Sequence, residues 1–269
     1  MDLKELDKYI DYKNFDPNLK RDVGWLIKDL SNNPTKKQVK KLKKDVEKLK
    51  NGTPLAYVLG FVPFLDCNIF VDKNTLIPRP ETELLVDILI KKYKSLNNNL
   101  DILDLCCGSG CIGITLSKNL NCLVDCSDIS KKALKKAKQN IKENNVKVNL
   151  INSNMFSQIS KKYDLIVSNP PYIEKEEISK LDKSVKDFEP ILALDGGSDG
   201  LNFYKIIAEK APLYLKENGV LALEIGFNQA KDIKNLLKTN FMNIKIIKDY
   251  SNLDRFIIAE RRQIKWLKN

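Results

Sequence analysis

The sequence predicts an α/β protein with a seven-stranded, mostly parallel sheet that ends in an antiparallel hairpin, preceded by a small helical N-terminal domain. From Leu100 onward, short apolar runs alternate with amphipathic helical patterns, which is typical of βαβ units. The last two runs, Asn243–Asp249 and Arg255–Glu260, are separated by a turn too short for a crossover helix. They are therefore expected to pair as a hairpin. Residues 1–53 carry only helical patterns.

The predicted N-terminal domain, residues 1–53, begins its first clear helix at Asp16-Pro17. Aspartate caps a helix N-terminus, and proline is favoured at the first helical position. A second apolar stripe runs from Val39 to Leu49 inside a lysine-rich surface, and Gly52 is placed to end that helix. We interpret the lysine runs as a solvated face.

Residues 54–80 are predicted to form a β-hairpin linker. Tyr57–Phe61 and Asn68–Val71 have the composition of short strands. Arg79 then lies between two prolines, and Glu81 follows at the start of a helix. Acidic residues favour a helix N-terminus, so Glu81 is explained either by this preference or by a functional role.

The predicted catalytic domain spans residues 81–269 and contains the sheet. Its helices include one over Lys131–Glu143, with Leu134, Ala137 and Ile141 on one face. The parallel strands are expected at Leu100–Leu105, Leu123–Ser127, Val148–Asn152, Tyr163–Ser168 and Val220–Ile225.

The composition excludes several kinds of chemistry. The chain of 269 residues contains no histidine, which excludes His general bases, Ser-His and Cys-His pairs and His metal ligands. Its six cysteines form no Cys-x-x-Cys pair, so we expect no metal site and interpret the thiols as small buried hydrophobes.

Charge and hydropathy bear on partners and location. The net charge of +11 permits a polyanionic partner, but only five of the 46 basic residues are arginine, which favours a general compositional bias. No run approaches the ~18 apolar residues of a membrane span. The segment Met1–Leu6 is charged where a signal peptide is apolar. We therefore expect a cytoplasmic protein with no membrane partner.

A glycine-rich turn, Asp104–Gly110, follows the first parallel strand and leads into a helix. Gly108 and Gly110 permit a tight turn and close backbone approach of a ligand. The turn matches neither a Walker loop nor the dinucleotide pattern, because the following residues have the wrong type and spacing. An acidic residue followed by Gly-x-Gly therefore indicates a site for a nucleotide-like ligand that has no pyrophosphate to be held.

Two further features lie at the carboxyl ends of the next strands. Asp128 follows Gly108 by twenty residues, where an acidic side chain binds a ribose diol, whereas Asp125 should face the other way. Asn154-Met155-Phe156 follows the third strand, where an adenine would lie. Together with the glycine turn, these features indicate S-adenosylmethionine as the cofactor.

The turn Asn169-Pro170-Pro171-Tyr172 ends the fourth strand, because proline cannot donate to a sheet ladder. Its carboxamide, carbonyls and aromatic ring suit a planar, neutral NH2 group. We hypothesise that the Asn169 side-chain oxygen and the Pro170 carbonyl accept the two N–H bonds while Tyr172 stacks on the group. The alternative is a plain strand-ending turn with a capping asparagine.

These motifs together resemble the HemK/PrmC-type protein-(glutamine-N5) methyltransferases, members of the class I S-adenosylmethionine-dependent methyltransferases with a Rossmann-like sheet. The Asn-Pro-Pro-Tyr turn is shared with adenine-N6 methyltransferases, whereas Leu76–Glu83 is more particular to the family. One departure is Cys106-Cys107, which stands where the family usually has Gly-Thr. The other matching segments are Ala56–Gly60, Asp104–Gly110, Glu189-Pro190, Ala193-Leu194, Gly196–Leu201, Glu224–Gly226 and Asp254-Arg255.

The resemblance implies methylation of the glutamine in the Gly-Gly-Gln motif of peptide-chain release factors, in support of translation termination. It implies a monomer that needs no direct nucleic-acid binding and recognises its substrate through the N-terminal domain. The implied catalytic residues are Asn169, Pro170 and Tyr172. The implied substrate contacts are Asn169, Pro170, Pro171, Tyr172, Arg79 and Glu81. The implied cofactor contacts are Asp104, Cys106, Cys107, Gly108, Ser109, Gly110, Asp128, Met155 and Asn169.

Two alternatives remain open at this point. An adenine-N6 methyltransferase acting on DNA or RNA would admit a flipped base to the same turn, and the positive charge would assist phosphate contact. It would also need a base-reading segment, and the N-terminal helices show no recognisable one. A non-enzymatic adaptor on the same scaffold has only the altered Cys106-Cys107 turn in its favour.

Overall fold

The computed structural model describes residues 3–28, 30, 33–95 and 100–262. The first two residues of the predicted N-terminal domain and the last seven of the predicted catalytic domain lie outside this part. The described chain has the predicted fold class. It contains a seven-stranded, mostly parallel sheet, a separate two-stranded hairpin, and a group of helices that precedes both along the chain.

The large sheet has the strand order β5-β4-β3-β6-β7-β9-β8. The strands β3 to β7 run parallel, whereas β9 pairs antiparallel with both β7 and β8. The turn between β8 and β9 therefore lies at the carboxyl edge of the parallel strands. The strands are β3 (Ile102–Leu105), β4 (Val124–Asp128), β5 (Val148–Asn152), β6 (Tyr163–Ser168), β7 (Leu215–Glu224), β8 (Phe241–Lys248) and β9 (Asp254–Arg261).

Apolar side chains cover both faces of this sheet, as a parallel sheet requires. The first face packs on α4, α5 and α6, and the second on α8 and α9. No helix in the described ranges is both long and apolar enough to span a membrane. The helices are α1 (Pro17–Ile27), α2 (Lys36–Lys50), α3 (Leu55–Leu59), α4 (Pro80–Tyr93), α5 (Cys111–Leu120), α6 (Lys131–Asn144), α7 (Lys183–Lys186), α8 (Asn202–Tyr214) and α9 (Ala230–Leu237).

The N-terminal helices have their own small core, formed by α1, α2 and the preceding 3-10 helix Leu3–Lys8. Asp16 caps α1 as predicted, and its side chain accepts hydrogen bonds from the first-turn N–H groups. Thr35 and Gln38 form a reciprocal capping box at the start of α2. These caps satisfy helix N–H groups that no backbone carbonyl reaches.

The prediction of a strand over Tyr57–Phe61 is wrong. Tyr57–Leu59 belong to the short helix α3, Gly60 ends that helix with a φ of 86°, and only Phe61 is in a strand. Proline before the helix and glycine after it favour this turn over an extended strand. The hairpin is instead built from β1 (Phe61–Phe64) and β2 (Cys67–Phe70).

The hairpin packs on α5 and α6, two of the helices that cover the first face of the large sheet. Phe64, Cys67 and Ile69 are buried in the same core cluster as β3 and α4. Asn140 also joins the hairpin to α6, since its side chain bonds the backbone N–H and C=O of Phe70. This packing fixes the segment that leads from the hairpin into α4 against the carboxyl edge of the sheet.

Candidate active site

A cavity lies at the carboxyl edge of β3, β4 and β6, where doubly wound sheets bind nucleotides. Its walls come from the turns after these strands, from the segment before α4 and from the loop around Pro190. It brings together most of the predicted cofactor residues, namely Cys106, Cys107, Gly108, Ser109, Asp128, Met155 and Asn169.

The turn after β3 is left-handed at its start, because Cys106 has a φ of 63° and Gly108 has a φ of 55°. A side chain at Gly108 would meet no protein atom within 4 Å, and Gly108 lines the cavity. Its bare backbone therefore leaves room for a ligand. Cys106 thus has a left-handed conformation that glycine, the residue that the family usually has at this position, holds without strain.

Asp128 supports this turn and borders the cavity at the end of β4. Its Oδ2 accepts the Gly108 N–H at 2.8 Å, and its Oδ1 accepts the Ser130 N–H at 2.8 Å. Burial raises the pKa of this carboxyl, and the backbone N–H donors oppose that rise. Each oxygen keeps a second lone pair, so the carboxylate can still accept hydroxyl hydrogens from a diol. Asp125 instead accepts from the Tyr163 hydroxyl at 2.8 Å, away from this turn.

Two predicted cofactor residues, Asp104 and Gly110, do not line the cavity. Asp104 is fully buried beneath the turn, where its Oδ2 accepts the Gly113 N–H of α5 at 2.9 Å. Burial raises the pKa of Asp104 to about 7. Gly110 is the N-cap of α5 with a φ of 80°, and a Cβ there would meet Ile114 and Ala137. Both residues thus shape the turn from below.

The segment after β5 is divided between the cavity and the core. Asn154 and Met155 line the cavity, and the Met155 sulfur lies 3.8 Å from the Cys106 sulfur. Phe156 instead stacks on Tyr214 in the core, with ring centroids 4.9 Å apart. Only the first two residues of this segment are therefore available to an adenine.

The proline turn after β6 presents Asn169 and Pro171 to the cavity. Pro170 is buried and does not line the cavity wall. Tyr172 also lies outside the lining and packs against the second core cluster. Burial raises the pKa of its hydroxyl to about 12, so the ring stays neutral.

A second glycine-rich segment, Gly196–Gly200, packs against the proline turn; it is called the glycine loop, and no role for it was predicted from the sequence. Side chains at Gly196 and Gly200 would lie within 2.8 Å and 2.5 Å of the Tyr172 backbone, so only glycine permits the observed approach. Gln229 donates to the Tyr172 carbonyl at 3.0 Å and to the Gly200 carbonyl at 3.2 Å. Ile173 pairs with Asp195 in an isolated parallel bridge. The glycine loop and Gln229 therefore hold the end of the proline turn that is farther along the chain from β6.

Thr82 and Glu224 lie in the family-matching segments Leu76–Glu83 and Glu224–Gly226, but no role for them was predicted from the sequence. Thr82 contacts the Asn169 side chain, and Glu224 contacts Thr82. The Asn169 Nδ2 donates to Thr82 Oγ1 at 3.3 Å, and Thr82 Oγ1 donates to Glu224 Oε2 at 2.7 Å. Burial raises the pKa of Glu224 to about 7. Both lie at buried registers of apolar elements, which is the signal that could have identified them.

The predicted substrate residues Arg79 and Glu81 lie at the start of α4 and do not line the cavity. Arg79 forms an ion pair with the buried Glu189 at 2.5 Å, and the second Glu189 oxygen accepts the Ile77 N–H at 3.0 Å. This pair ties the α4 entry to the loop that carries Pro190. Glu81 is half-buried in the first turn of α4.

Comparisons with known proteins agree with this geometry. Residues 80–187 match the family model described as "Methyltransferase small domain". A release factor glutamine methyltransferase from Thermodesulfovibrio yellowstonii is 40% identical over 232 residues, covering 84% of this chain and 83% of that protein. One from Clostridium acetobutylicum is 37% identical over 250 residues, covering 90% and 87%.

Solved structures share the fold. A methyltransferase from Pyrococcus furiosus has a TM-score of 0.56 and 21% identity, covering 74% of this chain and 91% of that one. The T. thermophilus 16S rRNA N2 G1207 methyltransferase, solved with AdoMet and guanosine, has a TM-score of 0.54 and 16% identity, covering 75% and 50%.

The sheet order and the terminal antiparallel hairpin give this protein a Rossmann-like fold. Its curated relatives, which are 37–40% identical over most of their length, define it as a methyltransferase. The identity to relatives over most of their length then specifies the family. The chain belongs to the release factor glutamine methyltransferases, which confirms the resemblance drawn from its motifs. Membership does not favour the adenine-N6 alternative or the non-enzymatic adaptor.

Proposed function

We propose that this enzyme transfers a methyl group from S-adenosylmethionine to the side-chain amide nitrogen of the glutamine in the Gly-Gly-Gln motif of peptide-chain release factors. The observation that carries the proposal is the Asn169 carboxamide, which lies on the cavity wall with its Nδ2 bonded to Thr82. Its oxygen remains as an acceptor for an incoming NH2 group. Relatives that are 36–44% identical bear the name of this activity.

The residues around the cavity fit S-adenosylmethionine. The open backbone at Gly108, the Asp128 carboxylate and the apolar wall at Met155 suit a ligand that combines a diol with a flat apolar ring. We assign Cys106, Cys107 and Ser109 to the same contact surface, and Asp104 and Gly110 to its support. When bound, this cofactor supplies an electrophilic methyl group on a sulfonium.

The chain's own residues orient the acceptor. An amide nitrogen is a weak nucleophile because its lone pair is delocalised, so positioning and desolvation supply most of the catalysis. In the proposal, the Asn169 oxygen and the Pro170 carbonyl accept the two N–H bonds and stabilise the positive charge that develops on nitrogen. In the proposal Tyr172 stacks on the amide, and one N–H proton leaves to water after transfer.

We further propose a role for each of the three parts of the chain. Residues 1–53 recognise the release factor, residues 54–80 connect the helices to the sheet, and residues 81–269 bind the cofactor and catalyse transfer. Arg79 and Glu81, at the entry to α4, border the approach of the substrate loop. The enzyme acts as a monomer in the cytoplasm, in support of translation termination, without direct binding of nucleic acid.

Labelled methyl transfer tests the proposal. Purified protein is incubated with radiolabelled S-adenosylmethionine and release factor whose Gly-Gly-Gln glutamine is intact or replaced by alanine. We expect label in the intact factor alone. Label in both factors, or label only in DNA or RNA adenine, would contradict the proposal, and the second outcome would establish the adenine-N6 alternative.

A further inference from the structure

Behind the proline turn Asn169–Tyr172, called the acceptor turn, three side chains from three separate elements form one hydrogen-bonded series. Asn169 follows β6, Thr82 lies in the first turn of α4, and Glu224 ends β7. Thr82 and Glu224 are 2% and 1% exposed; Thr82 lines the cavity, whereas Glu224 does not. We propose that Glu224 and Thr82 act as positioning residues that select which end of the Asn169 carboxamide faces the substrate, an inference that rests on the proposed function.

The number of hydrogens that each group carries decides which group donates and which accepts. The Thr82 hydroxyl has one hydrogen, and a carboxylate has none. When Glu224 is ionised, Thr82 must donate to it, and the 2.7 Å contact joins these two oxygens. Thr82 can then only accept from Asn169, which makes the 3.3 Å contact an N–H donation. The Asn169 oxygen is thereby directed away from Thr82 and is kept for the substrate NH2.

Protonation of Glu224 removes this selection. A neutral carboxyl group can donate to Thr82, whose hydrogen is then free to bond the Asn169 oxygen. The Asn169 carboxamide would turn, and the substrate NH2 would meet another NH2 group, with no acceptor between them. The orientation of Asn169 therefore depends on the charge of a side chain that does not contact the substrate.

The surroundings of Glu224 allow it to change charge near neutral pH. Burial raises the pKa of this carboxyl to about 7, and the Thr82 hydrogen bond and the Arg255 guanidinium oppose the rise. The other titratable or charged groups that face it are Arg79 and Glu81 at the start of α4, Cys111 of α5, Tyr172 of the acceptor turn and Tyr204 of α8.

The test compares single-turnover methyl transfer to release factor by the wild type and the Thr82→Val variant between pH 6 and pH 8.5. Valine keeps the shape of threonine but loses the hydroxyl. Above pH 7.5 we expect the variant to be about tenfold slower, on the scale of one lost orienting hydrogen bond. The wild-type advantage should shrink toward pH 6, because protonated Glu224 no longer selects the productive orientation. Asp104 titrates in both proteins and cancels in this ratio.

Two further variants separate orientation from folding. Thr82→Ser retains the hydroxyl and should recover most of the lost rate. Thr115→Val changes another buried threonine, one that does not line the cavity, and should match the wild type. Calorimetric titration with S-adenosylmethionine should give the same affinity, within about threefold, for Thr82→Val and the wild type. The reason is that the Thr82 hydroxyl bonds Glu224 and Asn169 and does not support the glycine-rich turn Asp104–Gly110.

The outcomes are distinguishable. A wild-type enzyme that transfers no methyl group to release factor overturns the proposed function, and the positioning role falls with it. An active wild type with an unchanged Thr82→Val rate overturns the positioning role alone. A tenfold loss that stays constant from pH 6 to pH 8.5, or that Thr82→Ser does not recover, assigns Thr82 to packing and also overturns the inference.

Discussion

Replacement of Gly200 by alanine tests whether the glycine loop holds the acceptor turn in place. The new Cβ would lie 2.5 Å from the Tyr172 carbonyl oxygen and 2.6 Å from Gln229 Nε2. Ordinary contact begins near 3.4 Å, so the turn must move by about 0.9 Å. The φ of +67° costs an alanine about 1 kcal/mol, and loss of the Gln229 hydrogen bond costs about 1 kcal/mol more.

These terms predict a loss of about 2 kcal/mol in the free energy of unfolding, or about 4–8 °C in Tm for a domain of this size. A displacement near 1 Å at a catalytic turn also reduces turnover by about 100-fold. Thermal unfolding monitored by circular dichroism measures the first effect, and single-turnover methyl transfer at saturating cofactor measures the second.

Gly24→Ala is the matched control. Gly24 lies in α1, and a Cβ there would meet no atom within 4 Å. Alanine improves helix propensity by about 1 kcal/mol, so the control should keep its rate and have an equal or higher Tm. If Gly200→Ala keeps both the wild-type Tm and the wild-type rate, the glycine loop does not position the turn and the reasoning fails.

Three other predictions follow from the site. Asn169→Ala should lower the single-turnover rate by about 100-fold with cofactor affinity unchanged, whereas Asn235→Ala, on the exposed face of α9, should be neutral; equal rates would contradict the role of Asn169. Burial favours the neutral form of Asp104 in the folded protein, so the wild-type free energy of unfolding should fall as the pH rises from about 4 to about 7. In urea titrations, the free energy of unfolding of Asp104→Asn should increase relative to the wild type by up to about 4 kcal/mol across that pH range. A difference between the two proteins that does not change with pH would contradict the raised pKa of Asp104. Gly113→Ala places a Cβ 2.2 Å from the Cys126 sulfur and should cost about 3 kcal/mol, most of which Cys126→Ala should restore in the double variant; additive losses would argue against this contact.

Sequence patterns anticipated the sheet because each strand and helix carries its own local signal. The boundaries of β5 and β6 agree with the structure at both ends, since apolar runs and turn residues delimit them. The error at Tyr57–Phe61 arose because a five-residue apolar run has no period that separates helix from strand. Pro54 before the run and Gly60 within it decide the outcome in favour of α3, which they cap.

The same distinction applies to the site. The glycine turn and the proline turn are local features, because backbone conformation at glycine and proline depends on the residue itself. The direction of the Asp104 side chain was not predictable, because the short apolar pattern of β3 does not tell whether that side chain faces the cavity or α5 beneath it. Arg79 belongs to a segment that matches the family, but its ion pair could not be predicted, because Glu189 lies 110 positions away in the sequence.

The sequence by itself established the βαβ alternation, the terminal hairpin and the turns that carry Gly108, Asp128 and Asn169, since short-range patterns encode them. Only the tertiary structure decided how the Asn169 carboxamide is held. Thr82 lies 87 positions from Asn169 and 142 positions from Glu224, and no periodicity links residues so far apart. Their contact follows from packing α4 against the carboxyl ends of β6 and β7, which depends on burial of apolar surface across the whole sheet.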